Sequence, residues 1–311
     1  MSIRAFVHTL LVPLLLAAGA ASAHAQNPAG VRDRGFDDAP RAAAQAARGG
    51  LYILSVGVNT YPPGVGRLDY AVADADSFAN ALVKGATSLY EGTPYVRRLF
   101  NGDASRASIE AAFGAITDSI VARGDTAATF VFFYAGHGVV HPGFKANDST
   151  FFLAPAGVTS LATDPSNWTQ LLNRNGISHI RLAEWLRGVP AQHKIVLLDA
   201  CQSGEVAKLV ERDVNFVGLS QTRSDGNTAV FAATTASAPE SRAIQHGVFT
   251  EVLLRSLAQI TSKDGTLFDL EAAARGSIRR EVASAANVTL PPRFPFIFVP
   301  EALKDVRIVQ P

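Results

Sequence analysis

The chain contains one cysteine, Cys201, in 311 residues, so no disulfide can form within it. It also lacks a charge imbalance: 28 Lys and Arg stand against 27 Asp and Glu, for a formal net charge of +1. Binding nucleic acid through a large basic face needs a surplus of cations and is therefore excluded. Charged side chains make up only 18% of the chain and hydrophobic ones 48%, a balance that excludes disorder over its whole length. Beyond residue 25 no apolar run approaches the ~18 residues that a membrane-crossing helix needs. There is no G-x-x-x-x-G-K-[ST] loop and no G-x-S-x-G elbow, which sets aside P-loop and α/β-hydrolase chemistry. Gly64-Val65-Gly66 lacks the third glycine of a dinucleotide fingerprint and reads as a turn. His137 and His141 stand four apart, but HGVVH has no glutamate and follows an apolar run, so no metal is expected there.

What is present begins with an address. Arg4 precedes a stretch, Ala5–Ala25, without Lys, Arg, Asp or Glu, centred on LLVPLLLAAGA and closing on Ala23-His24-Ala25. A basic start, an apolar middle and an A-x-A close predict a signal peptide over 1–25, cut before Gln26. Pro13 and the small residues after Leu16 make this stretch a poor membrane anchor. The mature chain is thus expected to be soluble, and either periplasmic or secreted. In an oxidising compartment a lone thiol is exposed to exchange and oxidation. Cys201 is then either an inert buried hydrophobe or a nucleophile.

Residues 26–50, rich in Ala, Gly, Arg and Asp, read as a flexible linker. From Leu51 unbroken apolar runs appear at Leu51–Val58, Thr129–Tyr134, Lys194–Leu198, Ala229–Ala233 and Phe294–Val299. They are β-branched or aromatic rather than alternating, as strands covered on both faces are. Helical patterns lie between them at Tyr70–Lys84, Ser105–Ala122, Ile180–Arg187, Phe249–Ile260 and Phe268–Ala285, with Ser105 as an N-cap. The alternation predicts a three-layer α/β/α sandwich with a mostly parallel sheet, in one domain over 51–311. Trp168 and Trp185 are assigned to packing rather than to a cleft. Val214–Asn227 is polar, with two glycines, and reads as a long exposed loop.

Sites in open parallel sheets form at the carboxyl ends of strands. Ala135-Gly136-His137-Gly138 follows one predicted strand, and Asp199-Ala200-Cys201-Gln202-Ser203-Gly204 follows another. The one thiol and a glycine-flanked histidine therefore share an edge. A nearby imidazole raises the thiolate fraction of a cysteine and can then protonate a leaving amine. The amides of Gly138 and Cys201 are the natural donors for an oxyanion. No third member of a triad is nominated.

At these residues the sequence resembles the caspase-like cysteine peptidases, within them the metacaspase and bacterial orthocaspase branch. FVFFYAGHG (Phe130–Gly138) looks like the family's histidine block and IVLLDACQSG (Ile195–Gly204) like its cysteine block. LDYAVADADSF (Leu68–Phe78) and FAATTASAPESRAIQHGVFTEVLLRSL (Phe231–Leu257) resemble two further blocks. The resemblance implies a Cys201–His137 dyad, and a substrate pocket lined by Asp74 and Asp199 that takes Arg or Lys before the scissile bond. Two carboxylates in a recess favour a cation. It implies a processing loop within 213–228, with Arg212 and Arg223 as self-cleavage candidates. Calcium-dependent relatives carry acidic clusters where this chain reads FFLAPAGVTS (Phe151–Ser160), with Ala156 and Gly157 where an acid is sought. Asp148 and Asp164 alone are too few for a site of six to eight oxygens, so no cofactor is expected. The competing expectation is a catalytically silent caspase-like module that binds a peptide or protein partner in the same cleft.

Overall fold

The computed structural model describes residues 48–86, 88–141, 150–161, 174–201, 227–233, 239–261, 265–276, 278–290 and 294–310. The predicted signal segment 1–25, most of the linker, Trp168, Asp148, Asp164, Arg212, Arg223 and positions 213–226 of the processing loop lie outside them. Arg48–Gly50 are within them. Gly50 donates its N–H to Asp125 Oδ2 (2.7 Å) and accepts from Thr129 N (2.9 Å), so it is already tied into the fold ahead of Leu51.

Five apolar runs become the strands β1 (Leu51–Gly57), β3 (Thr129–His141), β6 (His193–Ala200), β7 (Thr228–Ala232) and β10 (Phe296–Phe298). The main sheet runs β10-β7-β6-β3-β1-β2, where β2 is Tyr95–Phe100. The ladders β7-β6, β6-β3, β3-β1 and β1-β2 are parallel; β10 joins β7 antiparallel. β2 (YVRRLF) escapes a sequence reading because Arg97 and Arg98 interrupt its apolar pattern, as charges do on edge strands. β4 (Thr150–Ala154) and the short β5 (Ile177–Ser178) extend the sheet antiparallel from the far half of β3.

Successive residues on the strands feed two cores. Leu51, Ile53, Val131, Phe133, Ile195 and Leu197 pack under α1 (Ala71–Gly85) and α4 (Val248–Thr261). Tyr52, Leu54, Phe130, Phe132, Val196 and Leu198 pack under α2 (Arg106–Arg123) and α3 (His179–Gly188). Both faces are covered, which is why the runs are unbroken. This is the expected α/β/α sandwich. Ser105 caps α2, accepting from Ser108 N at 3.1 Å. Trp185 packs its ring on Phe113 and donates to Glu110, in the packing role expected of it.

One helix expectation is corrected. Phe268–Ala285 is two helices, α5 (Leu267–Arg275) and α6 (Ile278–Ala286), broken at Gly276, whose N–H caps the carbonyls of Ala272 and Ala273. Thr228, the last position of the expected processing loop, opens β7. Among the described residues no helix is long and apolar enough to cross a membrane.

Candidate active site

The site is built by register. β3 and β6 pair in parallel through Ala135–Asp199 and Gly136–Ala200. The ladder ends there, and His137 and Cys201 are the next residues along the two chains. Neighbouring strands lie ~4.8 Å apart, so adjacency in the sheet brings the two backbones together. His137 does not follow the strand, as the sequence implied, but lies within it. There β3 leaves its parallel partner and begins an antiparallel ladder with β4, His137 opposite Ala154. The strand continues because β4, unseen in the sequence, supplies new hydrogen-bond partners.

The His137 ring is held from two sides. Its Nε2 is 3.0 Å from the carbonyl oxygen of Gly66. A carbonyl can only accept, so Nε2 carries the hydrogen, and in the neutral ring Nδ1 is the acceptor. The Tyr61 ring packs on the imidazole with centroids 4.7 Å apart. The Tyr61 hydroxyl accepts the His137 N–H at 3.0 Å and donates to the Ala154 carbonyl at 2.9 Å. Burial pushes the Tyr61 pKa up to about 12, so this hydroxyl stays protonated. A smaller upward push on Tyr61 comes from the charge of Cys201. Burial lowers the pKa of His137, while the Gly66 hydrogen bond and the charge of Glu240 oppose the fall.

Cys201 is the first residue after β6 and is partly exposed, not sealed in apolar packing. A Cβ added at Gly138 would lie 2.5 Å from the Cys201 carbonyl oxygen, so only glycine lets the two chains approach this closely.

The chain just after Gly66 is anchored by Asn59. Asn59 takes the Leu68 N–H on its backbone carbonyl (3.0 Å), accepts Val72 N–H on Oδ1 (2.9 Å) and donates from Nδ2 to the Asp69 carbonyl (3.1 Å). Glu240, on the short strand β8 (Glu240–Ser241), accepts from the N–H groups of Asp69 (2.9 Å) and Tyr70 (3.0 Å). Helix α1 has no side-chain cap from Tyr70, and this distant carboxylate occupies its positive end instead.

Asp74 and Asp199 also meet. Asp74 sits in the first turn of α1 and Asp199 near the end of β6, and both are buried. Between them lies Gly247 of β9 (His246–Gly247), where a Cβ would come within 2.5 Å of Asp199 Oδ2 and 3.1 Å of Asp74 Oδ2. Each carboxylate already has partners. Asp74 Oδ1 is 2.6 Å from His246 Nδ1, and its two oxygens take the Gly247 N–H at 3.2 and 3.1 Å. Asp199 Oδ2 accepts from the Thr250 hydroxyl (2.6 Å) and N–H (3.2 Å). Burial, then the charge of Asp74, raises the Asp199 pKa to about 7. Burial raises Asp74 as well, against the pull of His246 and Gly247. The hydrogen bond to Asp74 raises His246 above its usual 6.5.

Sequence reasoning missed Tyr61, Gly66, Glu240, His246 and Thr250. The last three lie within the quoted block Phe231–Leu257, but nothing in their spacing indicates which strand end they face. Ala156 and Gly157 are near the chain surface and offer no carboxylate. Among the described residues no group of three His, Cys, Asp or Glu could hold a metal ion. A cavity of about 360 Å³ lined by Arg48, Glu91, Arg123 and Asp125 lies at the opposite, amino end of the strands and contains none of the predicted site residues.

The caspase domain family model matches residues 52–291 of this chain. The match spans well over half the sequence, and the chain belongs to that family. It is a cysteine-type peptidase whose substrates are peptides or proteins. No curated protein matches the chain.

Proposed function

We propose that this protein is an exported cysteine endopeptidase of the metacaspase and orthocaspase type, cutting after Arg or Lys through a Cys201–His137 dyad. The observation that carries the reading is the shared β3–β6 register, with the ring of His137 held at Nε2 by Gly66. His137 Nδ1 takes the thiol proton, and the Cys201 sulfur attacks the substrate carbonyl carbon. The N–H groups of Gly138 and Cys201 hold the resulting oxyanion. The His137 imidazolium then gives its proton to the leaving amine as the C–N bond breaks, leaving a thioester. Water, deprotonated by Nδ1, attacks that thioester and restores the thiol.

Asp74 and Asp199 supply the preference for a cationic side chain, since both carboxyl groups converge beside the same strand ends. Export follows from the leader over 1–25, and self-processing at Arg212 or Arg223 from the basic specificity. Turnover without added calcium is expected, since Phe151–Ser160 carries no acid. The test is hydrolysis of Arg-linked and Asp-linked fluorogenic amides by mature protein and by Cys201→Ala. Arg-selective turnover, lost in the variant, is expected. Silence of folded wild type would hand the cleft to a non-catalytic binding role, and cleavage only after Asp would sink the pocket assignment.

A further inference from the structure

We propose that His246 is a specificity-determining residue: its imidazole occupies the place on Asp74 that the Arg or Lys side chain of a substrate takes, and the substrate must displace it. The inference rests on the Arg/Lys reading of the recess and goes beyond it by naming the chain's own competitor.

The geometry is that of an occupied site. Asp74 is 2% exposed, and the two lone pairs of its Oδ1 already face His246 Nδ1 at 2.6 Å and the Gly247 N–H at 3.2 Å. The His246 side chain keeps 18% of its surface, so the ring forms the outer side of the recess rather than part of the core. It is delivered by a hairpin in which Ser241 pairs with His246 and Glu240 with Gly247. Gly247, lacking a side chain, lets that hairpin slide between the two carboxylates. The charges that act on the ring are those of Asp74 from α1, Glu251 from α4 and Asp199 from β6, while Glu240 acts on Asp74 and Asp199. One ring among these carboxylates offsets the charge that attracts a basic substrate while it is protonated, and ceases to do so when it is neutral.

The recess is therefore graded by pH. Below the raised pKa of His246 a substrate cation competes with the resident imidazolium; above it, the neutral ring no longer offsets the charge of Asp74. Asp199, its pKa raised to about 7, adds to the acidity of the recess as it ionises. Wild type and a His246 variant both keep Asp74 and Asp199, so what differs between them is the imidazole and its pull on those two carboxyl groups.

The experiment measures KM and kcat from pH 5 to 8 for an Arg-linked and a Leu-linked amide, with wild type and His246→Asn. His246→Gln is used if the first variant does not fold. For the Arg substrate, the wild-type KM is expected to exceed the variant's by about tenfold at low pH. The ratio should fall toward one at high pH, with kcat and the Leu substrate little changed. In parallel, the His246 ring is titrated by NMR in wild type and Asp74→Asn, where a downward shift is expected. A KM ratio of one at every pH, with Arg still preferred, overturns the competitor role and leaves the pocket assignment standing. Absence of any Arg or Lys preference in both proteins sinks the pocket assignment and this inference with it. A His246 titration unmoved by Asp74→Asn overturns the contact itself.

Discussion

Two histidines stand beside the same strand ends and are shifted in opposite directions. His137 is bound through Nε2 to a neutral carbonyl, and burial pulls its pKa down. His246 is bound through Nδ1 to a carboxylate, and the contact holds its pKa up. The difference teaches that partial burial alone does not set the state of an imidazole; the partner's charge does. A ring that is readily neutral suits proton transfer near pH 7, and a ring that is readily charged suits occupying an acidic recess.

The two rings also give opposite contributions to stability. His246, raised in the fold, stabilises at pH values below 6.5, and that contribution is lost as pH rises through its folded value. His137, lowered in the fold, does the reverse: its burial costs stability at low pH, and the cost is relieved as pH rises toward 6.5.

Three substitutions sharpen this contrast, in falling order of effect. His137→Ala should lower kcat about 10²–10⁴-fold, the usual worth of a positioned acid–base group, with little change in KM. A loss confined to KM would instead place His137 among the binding groups. Asp74→Asn should lower kcat/KM for an Arg substrate about 10- to 100-fold while sparing a neutral one. Equal losses on both substrates would mean the carboxylate serves the fold and not the pocket.

Thr250→Val has the smallest expected effect, about 1–3 kcal/mol of stability, because Asp199 loses its 2.6 Å hydroxyl partner. The sign with pH follows from Asp199, whose folded pKa of about 7 exceeds the ordinary 3.8. Between those values the native state holds a proton that the unfolded chain has released, so stability falls as pH rises across that window. Urea melts should therefore show a larger Thr250→Val penalty at pH 8, where the carboxylate is charged, than at pH 5.

Much of the fold was legible because its cause is local. The strands β1, β3, β6 and β7 are runs of buried apolar residues, and such a run announces itself. β2 and β4 were not legible, the first because its arginines face solvent at an edge, the second because it is defined by pairing to β3. The site divides in the same way. Cys201 and His137 stand next to or within the strand ends that position them, so they could be singled out from place in the chain, whereas Asp74 and Asp199 were singled out by the family resemblance.

Tyr61, Gly66, Glu240 and His246 carry no such mark. His246 meets Asp74 across 172 residues, and Glu240 reaches Asp69 across 171. The amino-acid order alone determined the layers, the shared sheet edge and the identity of the thiol and imidazole, since burial and strand order follow from hydrophobic pattern. Only tertiary structure decided which nitrogen of His137 carries the hydrogen and that Asp74 already holds the imidazole of His246. Those outcomes depend on hydrogen-bond partners brought together by packing, which no spacing along the chain encodes.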